Sequence, residues 1–196
     1  MQTEELQKVL SDHALYQDSG GKEGAIAELH NVDLRGADLS GANLINANLR
    51  GSNLCGANLR GTKLIGAKLC GADLSFTSLC GANLSDASLI LADLSGANLF
   101  CASLDRANLR DANLRGADLR DATLRYANLS RVNLGGACLY RANLNCAKLN
   151  RAKLCEANLS NANLIDADLT NAKLNDANLD GADLRGAKMP EIGKAA

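Results

Sequence analysis

Ala37-Asp38-Leu39-Ser40-Gly41, Ala42-Asn43-Leu44-Ile45-Asn46 and Ala47-Asn48-Leu49-Arg50-Gly51 are three consecutive copies of one five-residue unit, Ala-(Asn/Asp)-Leu-x-x. Outward from this stretch the unit runs unbroken. Leu stands at every fifth position from Leu29 to Leu184, and Met189 fills the next slot. Two residues before each of these positions the residue is Ala, except at Val32, Ser52, Thr62, Thr77 and Val132, all small or β-branched. Period five fits neither regular element. In a straight strand, leucines five apart fall on opposite faces. In an α-helix, five residues advance about 500°, so the leucines would spiral around the rod. A turn in every unit solves the problem. Each unit becomes a very short strand with Ala and Leu inward and the middle residue outward, followed by a corner where Gly and Asn tolerate unusual backbone angles. Such coils stack by hydrogen-bonding to their neighbours.

These repeats resemble the pentapeptide-repeat family, most closely its uninterrupted bacterial and cyanobacterial members, over roughly residues 27–189. The resemblance implies an all-β solenoid, a right-handed quadrilateral β-helix with four units per coil and about eight coils. At ~4.8 Å per stacked strand the rod would be about 38 Å long. It makes Leu34, Leu54, Leu74, Leu94, Leu114, Leu134, Leu154 and Leu174 one inward column. Surface charges test the 20-residue coil. Asp86/Arg106, Asp105/Arg125, Asp111/Arg131 and Asp121/Arg141 become opposite-charge neighbours, and Lys148, Asp168 and Lys188 alternate. Four pairs go the other way: Asp73/Asp93, Arg131/Arg151, Lys153/Lys173 and Glu156/Asp176.

Three segments are expected. Residues 1–26 form an N-terminal capping helix and loop, 27–189 the β-helix, and 190–196 a short tail. Thr3 suits a helix cap, Glu4 and Glu5 its first turn, and Leu6, Val9, Leu10 and His13 share a face that would cover the Leu29 layer. A cover is needed because an open solenoid exposes strand edges. Pro190 ends the pattern, so the last coil, Leu174–Met189, is expected to be partly open. Since relatives in the family can dimerise through C-terminal coils, a homodimer there is an expectation.

Composition narrows the function classes. In 196 residues, 21 Lys and Arg balance 22 Asp and Glu, and there is no Trp. Near-neutrality gives no general drive toward nucleic acid. No apolar run is long enough for a membrane helix, and the polar N-terminus is no signal peptide. The two histidines, His13 and His30, lack ligand spacing, so neither a metal nor a cofactor is expected. No P-loop, G-x-S-x-G or H-E-x-x-H pattern occurs, so the chain reads as no enzyme. Cys55, Cys70, Cys80, Cys101, Cys138, Cys146 and Cys155 all fall at outward or corner positions without a C-x-x-C pair, which reads as reduced thiols in the cytoplasm. Cys80 and Cys101 would lie diagonally on adjacent coils. Arg106, Arg110, Arg115, Arg120, Arg125 and Arg131 are interleaved with aspartates and read as a salt-bridged girdle.

Rare exposed apolar residues stand out against this background. Cys80, Phe100, Arg120 and Tyr140 share one corner column. Ile90 and Leu91 point outward on the neighbouring face, near Tyr126 and Arg110 in coil order, and Ile45 and Ile65 form a second small column. Aromatics and Arg are the usual anchors of protein interfaces. Phe100, Arg120, Tyr140, Ile90, Leu91 and Tyr126 are therefore the candidate partner-binding residues. The expected function is a scaffold that presents flat rod faces to a protein partner, without direct nucleic-acid or membrane contact. The resemblance also implies an alternative, DNA mimicry toward gyrase or topoisomerase IV as in the quinolone-resistance members. A net charge of −1 and the absence of inserted loops speak against it.

Overall fold

The computed structural model describes residues 3–190. Turns create the architecture. In every repeat unit from Leu34 to Leu184 the N–H three residues past the core Leu donates back to that leucine's carbonyl, as Ala37 does to Leu34 at 3.0 Å. The second corner residue has positive φ at every unit from Asn31 to Gly186, the requirement of a type II turn. The chain bends once per unit, and parallel bridges join residues 20 apart, from Glu28↔Asn48 to Asp168↔Lys188. Four units therefore close one coil. Three hydrogen bonds per unit tie neighbouring coils: Leu34 N–H to Asn53 O, Gly36 N–H to Cys55 O, and Asn53 N–H to Val32 O, at 2.7–3.1 Å.

The four sides are numbered by their core leucines. Face 1 carries Leu29 and its 20-residue successors, face 2 Leu34, face 3 Leu39 and face 4 Leu44. Every core Leu from Leu29 to Leu169 is at most 3% exposed. The interior is thus a filled stack of Leu and Ala. Where a hydroxyl replaces the inward Ala it is satisfied locally: Ser52 Oγ donates to Leu49 O at 2.7 Å, Thr62 Oγ1 to Leu39 O at 2.8 Å and Thr77 Oγ1 to Leu74 O at 2.6 Å. A short hydroxyl bonded this way costs the core little.

Helix α1, Thr3–Asp18, lies over the first coil. Leu6 and His13 are buried, and Val9 and Leu10 pack against the core. His13 Nδ1 accepts the Ala27 N–H at 3.0 Å, and Gln17 Nε2 donates to Ile45 O at 2.9 Å. The helix therefore supplies acceptor and donor to strand edges that have no coil beneath them. The link back passes so close to α1 that a Cβ at Gly24 would sit 2.7 Å from Tyr16 N. At the other end burial relaxes. Leu174, Leu179 and Leu184 are only partly buried, and Met189 is 42% exposed. The Thr3 side chain, the expected helix cap, and residues 191–196, most of the expected tail, lie outside what is described.

Candidate interaction surface

Side chains reach solvent from three positions per unit: the middle strand residue and the two corner residues. Coil register decides which of them meet. The column at the corner of faces 3 and 4 runs Cys80, Phe100, Arg120, Tyr140, each the residue after a face 3 leucine. Backbone bonds lock it. Gly81, Cys101 and Asp121 N–H donate to the carbonyls of Phe100, Arg120 and Tyr140 at 2.9, 3.0 and 3.0 Å.

Arg120 is the best-held member. Its Nε and Nη2 donate to Asp118 Oδ1 and Oδ2 at 2.8 and 2.7 Å, a bidentate fork. Its guanidinium lies over Phe100, 5.6 Å from the ring centroid, within cation–π reach. The Asp118 hydrogen bonds push Arg120 up from its usual pKa, and the same bonds hold the Asp118 carboxyl below the usual carboxylate range. Phe100 is half-buried under this cover, and Tyr140 is 37% exposed. No hydrogen bond to the Tyr140 hydroxyl occurs among the described residues. The result is a rigid ridge with a cation, an aromatic face and a phenol.

The other candidates lie elsewhere. Arg110 follows Ile90 by one coil in the same corner column, and Leu91 N–H donates to Arg110 O at 3.2 Å. Ile90 and Leu91 occupy the corner of faces 1 and 2, diagonally opposite the Phe100 column. Tyr126 stands at the corner of faces 4 and 1, two coils from Leu91 and 60% exposed. The six predicted residues thus occupy three corners instead of one surface. A unit's composition says which way a side chain points, and only the coil count says which corner it shares. Phe76, at the corner of faces 2 and 3, completes the set and escaped the sequence reading although it is 70% exposed. Its ring lies over the next coil, where a Cβ at Gly96 would be 2.7 Å from Phe76 Cε1. The sequence signal was an aromatic followed 20 residues later by glycine.

The charge columns form as their spacing suggests. Arg106 pairs with Asp86 at 2.6 Å, Arg125 with Asp105 at 2.5 Å, Arg131 with Asp111 at 2.5 Å and Arg141 with Asp121 at 3.4 Å. Burial works to raise the Asp105 carboxyl, but hydrogen bonds from Arg125 and Thr123 together leave it below the usual range. Of the six central arginines only Arg115 makes no ion pair among the described residues. All seven cysteines are free, and no group of His, Cys, Asp and Glu among the described residues could hold a metal ion. Among the described residues no helix is long and apolar enough to cross a membrane.

Comparison with known proteins gives a consistent result. The family described as pentapeptide repeats matches in eight copies, at residues 27–61, 37–75, 62–99, 102–141, 133–161 and 154–189. No curated protein matches. Among solved structures, the chain is similar to HetL, a pentapeptide repeat protein involved in heterocyst differentiation regulation from the cyanobacterium Nostoc sp. strain PCC 7120. Identity is 40%, over 85% of this chain and 78% of that one, with a TM-score of 0.71. It is also similar to a pentapeptide repeat protein from the Arabidopsis thaliana thylakoid lumen, 31% identical over 50% of this chain and 68% of that one, TM-score 0.49. QnrB1, a plasmid-mediated fluoroquinolone resistance protein, shares the fold at 22% identity, over 81% of this chain and 89% of that one, with a TM-score of 0.50.

Proposed function

We propose that this chain, which belongs to the pentapeptide-repeat family, is a non-enzymatic scaffold that binds a protein partner along the corner of faces 3 and 4. The observation that carries this reading is the Arg120 clamp. Asp118 holds the guanidinium in one orientation over Phe100, with Tyr140 exposed one coil on. A preorganised Arg–aromatic ridge pays little ordering entropy on binding, and Arg and Tyr are the residues that dominate interface energetics. Leucine and alanine fill the rod interior, so binding falls to the outer surface. HetL, 40% identical, is a regulatory protein by its description. Regulation through contact with another protein is the role we extend to this chain, in a reducing cytoplasmic setting that suits its seven free thiols. DNA mimicry finds no support in the charge distribution, because aspartates and arginines pair with each other instead of building a negative field.

The test is affinity capture from the native cell extract with the parent and with a Phe100→Glu/Tyr140→Glu variant shown to be folded. A defined partner retained by the parent and lost by the variant is the expected result. Equal retention by both would remove this corner from the account. Capture of topoisomerase subunits by both would replace the reading with mimicry.

A further inference from the structure

All four like-charged neighbours in the coil stack lie on face 2 or along its two edges. On the face itself Asp73 is bridged to Asp93, and Lys153 to Lys173. Like charges directly opposite each other in a sheet are destabilising, and none of these four residues has an ion-pair partner within the described chain. The acidic pair sits in the third and fourth coils and the basic pair in the seventh and eighth, so the centres are four coils, about 19 Å, apart. Asn113 and Asn133 fill the two coils between them, and Asn133 Nδ2 donates to Asn113 Oδ1 at 3.1 Å.

The middle of the face carries a matching relief. Arg115, the one central arginine without an ion pair among the described residues, projects from the fifth coil. One coil on, Gly135 leaves a gap that opens into a shallow groove lined by Lys153, Cys155, Glu156 and Lys173. The backbone does not demand this glycine. Its φ is not positive, and a Cβ there would meet only Asn133 Oδ1 at 3.4 Å and Cys155 O at 3.8 Å. It is also the only glycine at the first corner position anywhere in the repeat.

We propose that face 2 is a self-association surface: two copies pack face to face with their rods antiparallel about a two-fold axis. That axis, lying in the interface and crossing the rods, maps each column onto itself and reverses coil order. The third coil then meets the eighth, the fourth the seventh, and the fifth the sixth. Asp73 faces Lys173 of the second copy, Asp93 faces Lys153, Asn113 faces Asn133, and Arg115 enters the gap at Gly135, each contact occurring twice. Both unfavourable stacks become opposite-charge contacts by one operation, as an isologous interface requires. The other faces carry no such pair of opposed stacks. This contact does not rest on the partner surface proposed above, which is on the opposite edge of the rod. A single face this long makes a small interface, so the association is weak and salt-dependent.

Analytical ultracentrifugation tests it. The parent should show a monomer–dimer equilibrium at low salt whose constant weakens about tenfold or more as salt screens the four charge contacts. The all-acidic face made by Lys153→Glu/Lys173→Glu and the all-basic face made by Asp73→Lys/Asp93→Lys should each be monomeric, and mixing them should restore a dimer. Gly135→Gln, which changes no charge and strains no backbone, should also abolish the parent dimer while the circular-dichroism melt is unchanged. A parent that stays monomeric at high concentration and low salt overturns the proposal. So does a dimer that persists in both charge variants, which would point to the C-terminal coil, and so does a mixture that fails to pair.

Discussion

Phe76, Leu91 and Tyr126 hold φ of 55°, 60° and 60° and are the most exposed large apolar side chains among the described residues. The left-handed region costs an ordinary residue about 1–2 kcal/mol, whereas glycine there gives up about 0.5–1 kcal/mol of chain entropy. Leu91→Gly should therefore raise stability by up to about 1 kcal/mol, read as a higher urea midpoint with unchanged slope. The reverse exchange at Gly66, where φ is 66° and a Cβ would run into Asn46 Oδ1, should cost about 1 kcal/mol. If Leu91→Gly lowered the midpoint instead, the side chain would be making a stabilising contact that its exposure hides. That the chain retains bulky apolar residues at strained, exposed corners fits a role outside the fold's own stability.

Helix α1 shows how an element can answer to pH. His13 Nδ1 accepts the Ala27 N–H, which only an unprotonated nitrogen can do. Burial pushes its pKa below the usual imidazole value, against the opposing pull of the Ala25 and Ile45 backbone. The unfolded chain then takes up a proton near pH 6.5, while the folded cap does so only at lower pH. In that window the unfolded state binds more protons, so the contribution of the docked cap is complete above about pH 6.5 and is lost as pH falls toward the folded value. Hydrogen exchange of residues 3–18 should speed up between pH 7 and 5 relative to the central coils. In His13→Asn it should be fast throughout and nearly flat over that range. An equal pH response in parent and variant would show that another group controls the cap. The Asp–Arg columns titrate in a separate window. The Asp86, Asp105 and Asp111 carboxyls sit below the usual range, so their contribution is present above about pH 4 and is lost only in stronger acid.

For the whole molecule, stability is a sum over coils and the contacts between neighbouring coils. Leu114 is fully buried at mid-rod, whereas Leu184 belongs to the partly buried last coil. Leu114→Ala should cost about 2–5 kcal/mol in equilibrium urea unfolding, the range for a core leucine that leaves a cavity. Leu184→Ala should cost clearly less. Equal costs would mean that the last coil is as tightly packed as the centre. The fold was the more legible part of this protein. Leu114 could be placed inside from its five-residue spacing alone, and Ser52, Thr62 and Thr77 read as inward from their position in the unit. The face shared by Leu6, Val9, Leu10 and His13 was visible as helical periodicity, but the bond from Ala27 to His13 was not, because it joins residues 14 apart. The candidate surface was legible only in part. The Phe100–Arg120–Tyr140 column follows from a 20-residue register, while the separation of Ile90, Leu91 and Tyr126 onto other corners, and the exposure of Phe76, emerged only once the coils were closed.

By itself the sequence determined which side chains point inward, where the chain must turn, and that no unit is interrupted. Each of these follows from local sterics within five residues: an Ala and a Leu on one side of a short strand, then a corner that requires positive φ. The tertiary structure decided which outward residues are neighbours. That depends on how many units close a coil, a property of backbone hydrogen bonds between residues 19–21 apart. Those bonds set Asp73 on Asp93, lay Arg120 over Phe100 and leave Arg115 without an ion pair among the described residues beside the gap at Gly135. A charge or an aromatic ring acts on whatever stands within a few ångströms of it, and in a coiled chain that neighbour is seldom the next residue in sequence.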